Sequence, residues 1–320
     1  IDQEVLSTGQ PVYVADEASD DRVLYPREAR SEGIVSALCA PMTYKDRPEG
    51  VIHVYTGTRH EFGWFEVSLL QAIAAQAAGA IANARLRHVA REAANLRRHI
   101  RTAAEVQRRM APSEPEIPGY DFGAVYVPCF DLAGDFYDFI PLPEDNLGVA
   151  ICDVVGKGVR ASLLMASIRA SLRAHATNIY AMSHVFDRVN RDLVAVAQES
   201  DFATMFYAVI DTASRRMTYA NAGHPSPLLF RGGEACHLTN GGPVIGLAPE
   251  THWMHTHFLL ESGDTMVLYT DGLSEVMNFR DEPFGVERIT STAQAALDQG
   301  MHARGTARHI LWEMRRFAGL

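Results

Sequence analysis

The stretch VAICDVVGKG, residues 149–158, ends an apolar run with Asp153 and turns at glycine soon afterwards. A second stretch, MVLYTDG at residues 266–272, repeats this design around Asp271. Short apolar runs that stop at glycine are typical of buried strands. A carboxylate at the end of such a strand is costly to bury unpaired, so a cation is its natural partner.

A third acidic cluster, DLAGDFYD at residues 131–138, places Asp135 beside a glycine. A single Asp-Gly pair is usually a turn or a cap. Three such clusters, with no Cys or His interleaved at zinc spacing, favour a site built from oxygen ligands, which suits Mg²⁺ or Mn²⁺. Two such ions about 3.5 to 4 Å apart can activate a bridging water and clamp a phosphate for in-line attack. The predicted chemistry therefore needs no protein nucleophile.

The residues around these clusters predict antiparallel sheets with helices packed outside. Four apolar runs favour strands: residues 149–152, 205–210, 217–220 and 266–269. The second and third runs are joined by a short polar segment, which is typical of a hairpin. Leu164, Ile168 and Leu172 follow four-residue spacing and predict one buried face of a helix over residues 161–176.

Residues 66–110 predict one long helix, because they are rich in Ala, Leu and Arg and Pro112 stops the pattern. Its second half carries an apolar seam in steps of three and four: Leu86, Val89, Ala93, Leu96, Ile100, Ala103, Gln107 and Met110. Such a seam is typical of a parallel coiled coil that joins two protomers, within which Gln107 would set the register or weaken the seam. The alternative is a helix packed against its own domains.

Length and composition predict two hydrophobic cores in a reduced, cytoplasmic protein. The chain has 320 residues, 47% of them hydrophobic, which is enough for two domains. Its net charge of −10 argues against a nucleic-acid binder and favours protein partners. The four cysteines are widely spaced, as in a reducing compartment. We expect no membrane span and no signal peptide, and a start at Ile1 without methionine is typical of a fragment.

Four motifs in order resemble the SpoIIE-like (RsbU-like) branch of the metal-dependent protein phosphatases, the PPM family. They are AGDFYD at 133–138, DVVGKG at 153–158 with ASL at 161–163, NAGHP at 221–225 with Pro227, and YTDG at 269–272 with Glu275. The resemblance implies an α-β-β-α sandwich and a protein serine/threonine phosphatase that uses two Mn²⁺ or Mg²⁺ ions. It also implies that the substrate is phosphoserine on an anti-anti-sigma (STAS) protein.

Carried over by motif, the resemblance gives roles to particular residues. Asp153 would bridge the two metals, and Val154 would offer its backbone carbonyl. Asp271 would hold one ion, and Asp135 would act on the second directly or through water. The NAGHP segment would be a shaped turn in which His224 supports the loop near the site.

Two features differ from the family pattern. The first glycine of its Gly-Gly-Asp motif is Ala133 here, a mild change where the backbone angle is ordinary. The family's closing Asp-Asp pair and last strand would begin about where the sequence stops at Leu320. One metal ligand is therefore expected to be missing, which fits a trimmed chain, a weakened metal site or a degenerate enzyme.

The N-terminal part resembles the C-terminal two thirds of a GAF sensory domain. The matching stretches are STGQPVYV at 7–14, GIVSALCAPM at 33–42, GVIHV at 50–54 and FGWFEV at 62–67. We expect the opening strands and helix of such a domain to be absent. GAF pockets vary widely, so the resemblance does not name the ligand.

Together these features predict an α+β chain in three parts. A partial GAF domain with a mixed α/β sheet occupies residues 1–85, a coiled-coil linker helix residues 86–111, and a phosphatase domain without its C-terminal end residues 112–320. We expect a small-molecule or protein signal at the GAF domain to change the pairing of the linker helix in a homodimer and so to regulate the phosphatase. Nucleic acid and membrane are not expected partners.

Other classes fit the residues less well. The GKG at 156–158 lacks the earlier glycine and the Ser or Thr of a P-loop, and no cysteine has the arginine six residues later that a cysteine phosphatase needs. His252, His255 and His257 are typical of a solvated strand. Two alternatives stay open: a non-catalytic module that uses a degenerate phosphatase fold to bind its partner, and a GAF-coupled cyclic-nucleotide hydrolase, whose histidine-rich metal motifs the sequence lacks.

Overall fold

A computed structural model describes residues 1–129, 131–179 and 181–320, which form two compact units, Ile1–Arg98 and His99–Leu320. The first unit is a three-stranded antiparallel sheet with helices on both faces. Its elements are α1 (Asp2–Thr8), β1 (Val12–Val14), α2 (Pro26–Ser31), β2 (Ser36–Tyr44), β3 (Arg47–Thr56) and the start of α3 (Trp64–Met110). Val5 of α1 packs with Val12 and Cys39 on one face, and Leu70 and Ala74 of α3 pack with Leu38 and Ala40 on the other.

Helix α3 is the predicted long helix, and it ends at Met110, just before Pro112. It is the one helix of the described chain that is long and apolar enough to cross a membrane by length and composition alone. The expectation that no stretch qualifies is wrong by this measure, because residues 67–84 carry no charged side chain. Core helices that pack inside a domain share these properties, and Leu70 and Ala74 pack in that way.

The apolar seam of α3 divides into two parts. Leu86, Val89 and Leu96 are 62%, 57% and 62% exposed. Farther along the seam, Ile100, Gln107 and Met110 are half-buried although Ala103 is exposed, and the side chain of Gln107 is hydrogen-bonded within the second unit. The Gln107 carboxamide is thus bonded to its own chain, and the coiled coil, in which Gln107 would set the register or weaken the seam, stays a prediction.

The second unit is built on two sheets. The larger has six strands in the order β10-β7-β6-β5-β4, with β11 also paired to β7, and the smaller has the order β12-β8-β9. The strands are β4 (Phe136–Leu142), β5 (Asn146–Val154), β6 (Ala203–Asp211), β7 (Arg216–Ala222), β8 (Leu228–Arg231), β9 (Glu234–His237), β10 (Gly241–Gly242), β11 (Thr256–Leu259) and β12 (Thr265–Val267). The helices are α4 (Val159–Ala176), α5 (Met182–Val194), α6 (Asp271–Ser274), α7 (Gly285–Asp298) and α8 (Ala303–Ala318).

Strand alternation sorts the apolar side chains of this unit into three layers. Along β5, Val149 and Ile151 face the layer between the two sheets, whereas Ala150 and Cys152 face the layer under α4 and α5. A third layer lies between the small sheet and helices α7 and α8. The predicted α-β-β-α sandwich is confirmed.

The predicted elements differ from the structure mainly at one strand. The hairpin is confirmed by the antiparallel pairing of β6 with β7, and the helical face by the burial of Leu164, Ile168 and Leu172. The run at 266–269 is strand only as far as Val267. Asp271 therefore does not end a strand but begins the short helix α6.

Candidate metal centre

Strand register brings Asp135 and Asp153 together. In the antiparallel pair β4 and β5, Phe136 lies opposite Cys152. One step farther along the register, Asp135 comes opposite Asp153. The Asp135 carboxyl lies near enough to raise the pKa of Asp153 by hydrogen bonding and by its charge. Two carboxylates that the sequence places 18 residues apart thus meet at one edge of the large sheet.

Gly134 lets the turn before β4 approach the carbonyl of Val154. A Cβ atom at this glycine would lie 2.9 Å from the Val154 carbonyl oxygen and 3.3 Å from the Cβ atom of Ala161. Such contacts are too tight for a side chain, so glycine is required by close packing. Ala133, the departure from the family motif, is not among the residues with positive φ and fits the turn without strain.

Asp271 joins the same acidic cluster from the small-sheet side. The carboxylates of Glu275 and Asp135 act on it electrostatically, and the Lys157 ammonium acts in the opposite sense. Glu275 lies one helical turn after Asp271. The sequence motif contained Glu275, but no function was predicted for it. Its four-residue spacing from Asp271 on a helix is the sequence feature that could have indicated a place in this cluster.

Burial and mutual repulsion shift the protonation of this cluster. Burial raises the pKa of Asp153 to about 8, with further contributions from the hydrogen bond to Asp135 and from the charges of Asp135, Asp271 and Glu275. Burial and the neighbouring carboxylates also raise the pKa of Asp271. Crowded carboxylates of this kind are stabilised in ionised form by a bound cation.

The donor atoms suit a hard divalent cation. They are the carboxylates of Asp135, Asp153 and Asp271 and the nearby carbonyl of Val154, all oxygen, and Mg²⁺ and Mn²⁺ prefer oxygen and keep several waters. Among the described residues, no three His, Cys, Asp or Glu side chains already surround a single point as metal ligands. The oxygen donors fit such an ion by their chemistry, and waters would complete its coordination.

The NAGHP segment is a tightly bonded turn beside this centre. The Asn221 side chain donates to the His224 carbonyl at 2.9 Å and accepts from the His224 backbone N–H at 2.7 Å. The Nδ1 atom of His224 lies 2.8 Å from the hydroxyl of Thr204, which is paired with Asp153 across the sheet. Burial lowers the pKa of His224 to about 4, and the polar contact with the Tyr269 backbone offsets this only in part. A buried, neutral imidazole supports the loop.

Asp138 belongs to the same motif as Asp135 but has a different role. Its side chain is fully buried and lies 3.0 Å from Nε of Arg169 and 2.6 Å from Nε of Arg173, both on α4. Arg173 also donates to the Phe139 carbonyl at 3.2 Å. Asp138 therefore joins β4 to α4 and takes no part in the acidic cluster.

The remaining histidine and cysteine candidates add no ligand to the centre among the described residues. His252, His255 and His257 are exposed, but only His257 lies in a strand, β11, so the predicted solvated strand is wrong for the other two. All four cysteines are free. Neither set adds a ligand to the acidic cluster.

Two known families match this chain, one in each unit. The model of the family described as Stage II sporulation protein E (SpoIIE) matches residues 143–319, more than half of the chain. The chain belongs to the SpoIIE family. A GAF domain model matches residues 3–82, so the N-terminal unit contains a GAF domain. The boundaries predicted at residues 85 and 111 remain predictions.

Two curated relatives carry phosphatase names. The chain is 31% identical to Phosphoserine phosphatase RsbU of Bacillus subtilis over 183 residues, which are 56% of the chain and 54% of RsbU. It is 25% identical to Phosphoserine phosphatase RsbP of the same organism over 186 residues, which are 57% of the chain and 46% of RsbP. The chain thus spans about half the length of these relatives.

Solved structures support the fold. The SiaA-PP2C domain of Pseudomonas aeruginosa superposes with a TM-score of 0.62 at 17% identity, covering 71% of this chain and 92% of that domain. The PP2C phosphatase domain of SpoIIE from Bacillus subtilis gives a TM-score of 0.50 at 18% identity, with coverage of 58% and 54%. The second unit therefore has the PP2C fold, and phosphatases of the PP2C family are metal-dependent.

Proposed function

We propose that the SpoIIE-family unit is a metal-dependent protein serine/threonine phosphatase under the control of the GAF domain. One observation carries this proposal. In a PP2C fold, strand register and the start of α6 bring the half-buried carboxylates of Asp135 and Asp153 and the exposed carboxylate of Asp271 into one mutually repelling cluster. A cation site at the edge of a sheet, open to a phosphate, is the arrangement that metal-assisted hydrolysis requires.

Four groups would hold two Mn²⁺ or Mg²⁺ ions. Asp153 would bridge them, with the Val154 carbonyl beside it, while Asp271 would hold one ion and Asp135 the other, directly or through water. When bound, such ions lower the pKa of a water molecule and stabilise charge on the phosphoryl group. The hydrogen-bonded turn from Asn221 to His224 and the buried imidazole keep the adjoining strand in place.

The proposal is tested by phosphate release from a phosphoserine peptide. We expect hydrolysis with Mn²⁺ or Mg²⁺, loss of at least nine tenths of it with excess EDTA, and recovery on adding Mn²⁺ back, because the described residues offer no nucleophile in the cluster. Phosphotyrosine peptide of the same sequence serves as the matched control and should be a poor substrate. Hydrolysis that survives chelation would rule out the metal-dependent mechanism.

The proposed substrate is phosphoserine on an anti-anti-sigma (STAS) protein in the cytoplasm. Likeness to RsbU and RsbP, both named phosphoserine phosphatases, supports the phosphoserine, and the net charge of −10 fits a protein partner rather than a nucleic acid.

A second candidate is a non-catalytic module that binds its phosphorylated partner. The absence of three ready ligands around one point in the described chain favours it. The phosphate-release assay separates the two, because a binding module would retain the phosphoprotein without releasing phosphate at any Mn²⁺ concentration.

The exposed part of the seam supports a homodimer joined through α3. Leu86, Val89 and Leu96 lie in heptad steps and expose more than half of their surface, which a second α3 would bury. We expect Leu96→Asp to convert a dimer into a monomer in light scattering and to change regulated phosphatase activity. Arg97→Asp, on the solvated face of the same turn, is the control and should leave the dimer intact. An unchanged mass for the Leu96 variant would exclude this interface.

A further inference from the structure

The end of α3 holds the turn that carries Asp135. The side-chain Nε2 of Gln107 donates to the Ala133 carbonyl at 2.8 Å, and the Ala133 backbone N–H donates to Oε1 of Gln107 at 3.0 Å. One carboxamide thus satisfies both backbone groups of Ala133, as a neighbouring strand would do. Only Asn and Gln side chains present a donor and an acceptor side by side in this way.

Within the described chain, this turn is held by the burial of Leu132 and by few other hydrogen bonds. Residues 131–135 lie outside any helix or strand, so their backbone groups have no ladder partners. The Tyr126 hydroxyl donates to the Asp135 carbonyl at 3.1 Å. Within the turn, Gly134 is packed against the Val154 carbonyl. A shift of Ala133 would therefore move two predicted metal-binding groups relative to each other.

The two hydrogen bonds of Gln107 are partly buried. Ala104, one turn earlier on α3, is buried. A cavity of about 20 Å³ beside the contact is lined by residues that include Met110, Tyr126, Asp135 and Met165. Hydrogen bonds in such surroundings specify geometry strongly, because a group that loses its partner is poorly compensated by water.

We propose that Gln107 is a positioning residue for the metal centre: its carboxamide fixes the Ala133–Asp135 turn, so that the placement of Asp135 depends on where α3 ends. The effect of Gln107 on metal binding rests on the proposed function. Its two hydrogen bonds to the turn do not depend on that function. Because α3 is one continuous helix from Trp64 to Met110, Gln107 is the point at which a rotation or shift of that helix reaches a predicted metal ligand.

Two substitutions separate the hydrogen bonds from packing. Gln107→Met keeps the volume of the side chain and removes both hydrogen bonds, while Gln107→Glu keeps the acceptor and loses the donor. Glu105→Gln changes an exposed side chain on the same turn and is the matched control. Thermal melts establish that each variant is folded. In both Gln107 variants we expect faster amide hydrogen exchange in a peptide covering residues 131–137. We also expect the Kd for Mn²⁺, measured by calorimetry on the whole chain, to rise about 10-fold.

The outcomes distinguish this proposal from the proposed function. If amide exchange over residues 131–137 is unchanged in both Gln107 variants, Gln107 does not fix the turn. If exchange is faster but Mn²⁺ affinity is unchanged, Gln107 fixes the turn without positioning Asp135 for metal binding. If the wild type binds Mn²⁺ but releases no phosphate, the phosphatase fails while the weakened affinity of the variants still supports Gln107. If the wild type binds no Mn²⁺, the proposed function fails and the exchange result alone decides whether Gln107 holds the turn.

Discussion

We expect Asp153→Asn to reduce Mn²⁺-dependent phosphate release by roughly 10³-fold or more. Asp153 is the carboxylate that interacts with Asp135, Asp271 and Glu275 at once, so it occupies the middle of the cluster. A bound metal ion supplies several kcal/mol of charge stabilisation in the transition state, and about 4 kcal/mol corresponds to that factor. Asparagine keeps the shape of the side chain and removes the charge that would bridge two ions.

The melting temperature of the metal-free Asp153→Asn variant provides a second test of this prediction. Since Asp153 lies among like charges, its replacement by asparagine should leave the metal-free melting temperature unchanged or raise it, whereas loss of a purely structural residue would lower it. Asp131→Asn, an exposed carboxylate in the same acidic stretch, is the control and should retain activity. Activity of the Asp153 variant within about threefold of the wild type would remove this residue from the mechanism.

Local pattern predicted the elements of the second unit well. The period-two alternation along β5 separates Val149 and Ile151 from Ala150 and Cys152, and the structure places the two sets in different apolar layers. Such patterns are read within one segment, because they follow from which face of that segment is buried. The register of β4 against β5, which brings Asp135 and Asp153 together, depends on how two segments pair. The pattern within either segment does not determine it, and the structure shows it.

Spacing alone does not identify the partners of residues that pair with distant parts of the sequence. Asp138 is three residues after Asp135, but it pairs with two arginines of α4. Gln107 fits the heptad spacing of the seam, but its partner is the backbone of Ala133. A heptad pattern indicates that one face of a helix is covered and does not say by which element. Both residues are therefore identified by tertiary contacts.

The shortened strand β12 shows another limit of local pattern. The run 266–269 is apolar throughout, yet pairing with β8 ends at Val267. Strand assignment needs a neighbour that supplies hydrogen bonds, which composition does not reveal. The following residues lead into α6, where Asp271 and Glu275 come one helical turn apart.

We expect Asp138→Ala to destabilise the second unit by about 3 to 5 kcal/mol, the usual effect of breaking a buried ion pair. The Asp138 side chain is 0% exposed and that of Arg169 only 13%, so water cannot replace the lost carboxylate around that guanidinium. Arg173 loses both of its hydrogen bonds to Asp138, each 2.6 Å long. Urea unfolding of the whole chain, followed by the fluorescence of the buried Trp253, measures the loss.

A surface contact between a histidine and an aspartate of the same unit provides the comparison for Asp138. Asp192 lies 3.0 Å from His175 with its side chain 51% exposed, and Asp192→Ala should lower stability by no more than about 1 kcal/mol because water screens such pairs. Asp138→Asn should fall between the two, since its amide oxygen still accepts a hydrogen bond from one arginine. Equal losses for Asp138→Ala and Asp192→Ala would mean that the arginines of α4 reach water when the carboxylate is gone. The junction between β4 and α4 would then not depend on this ion pair.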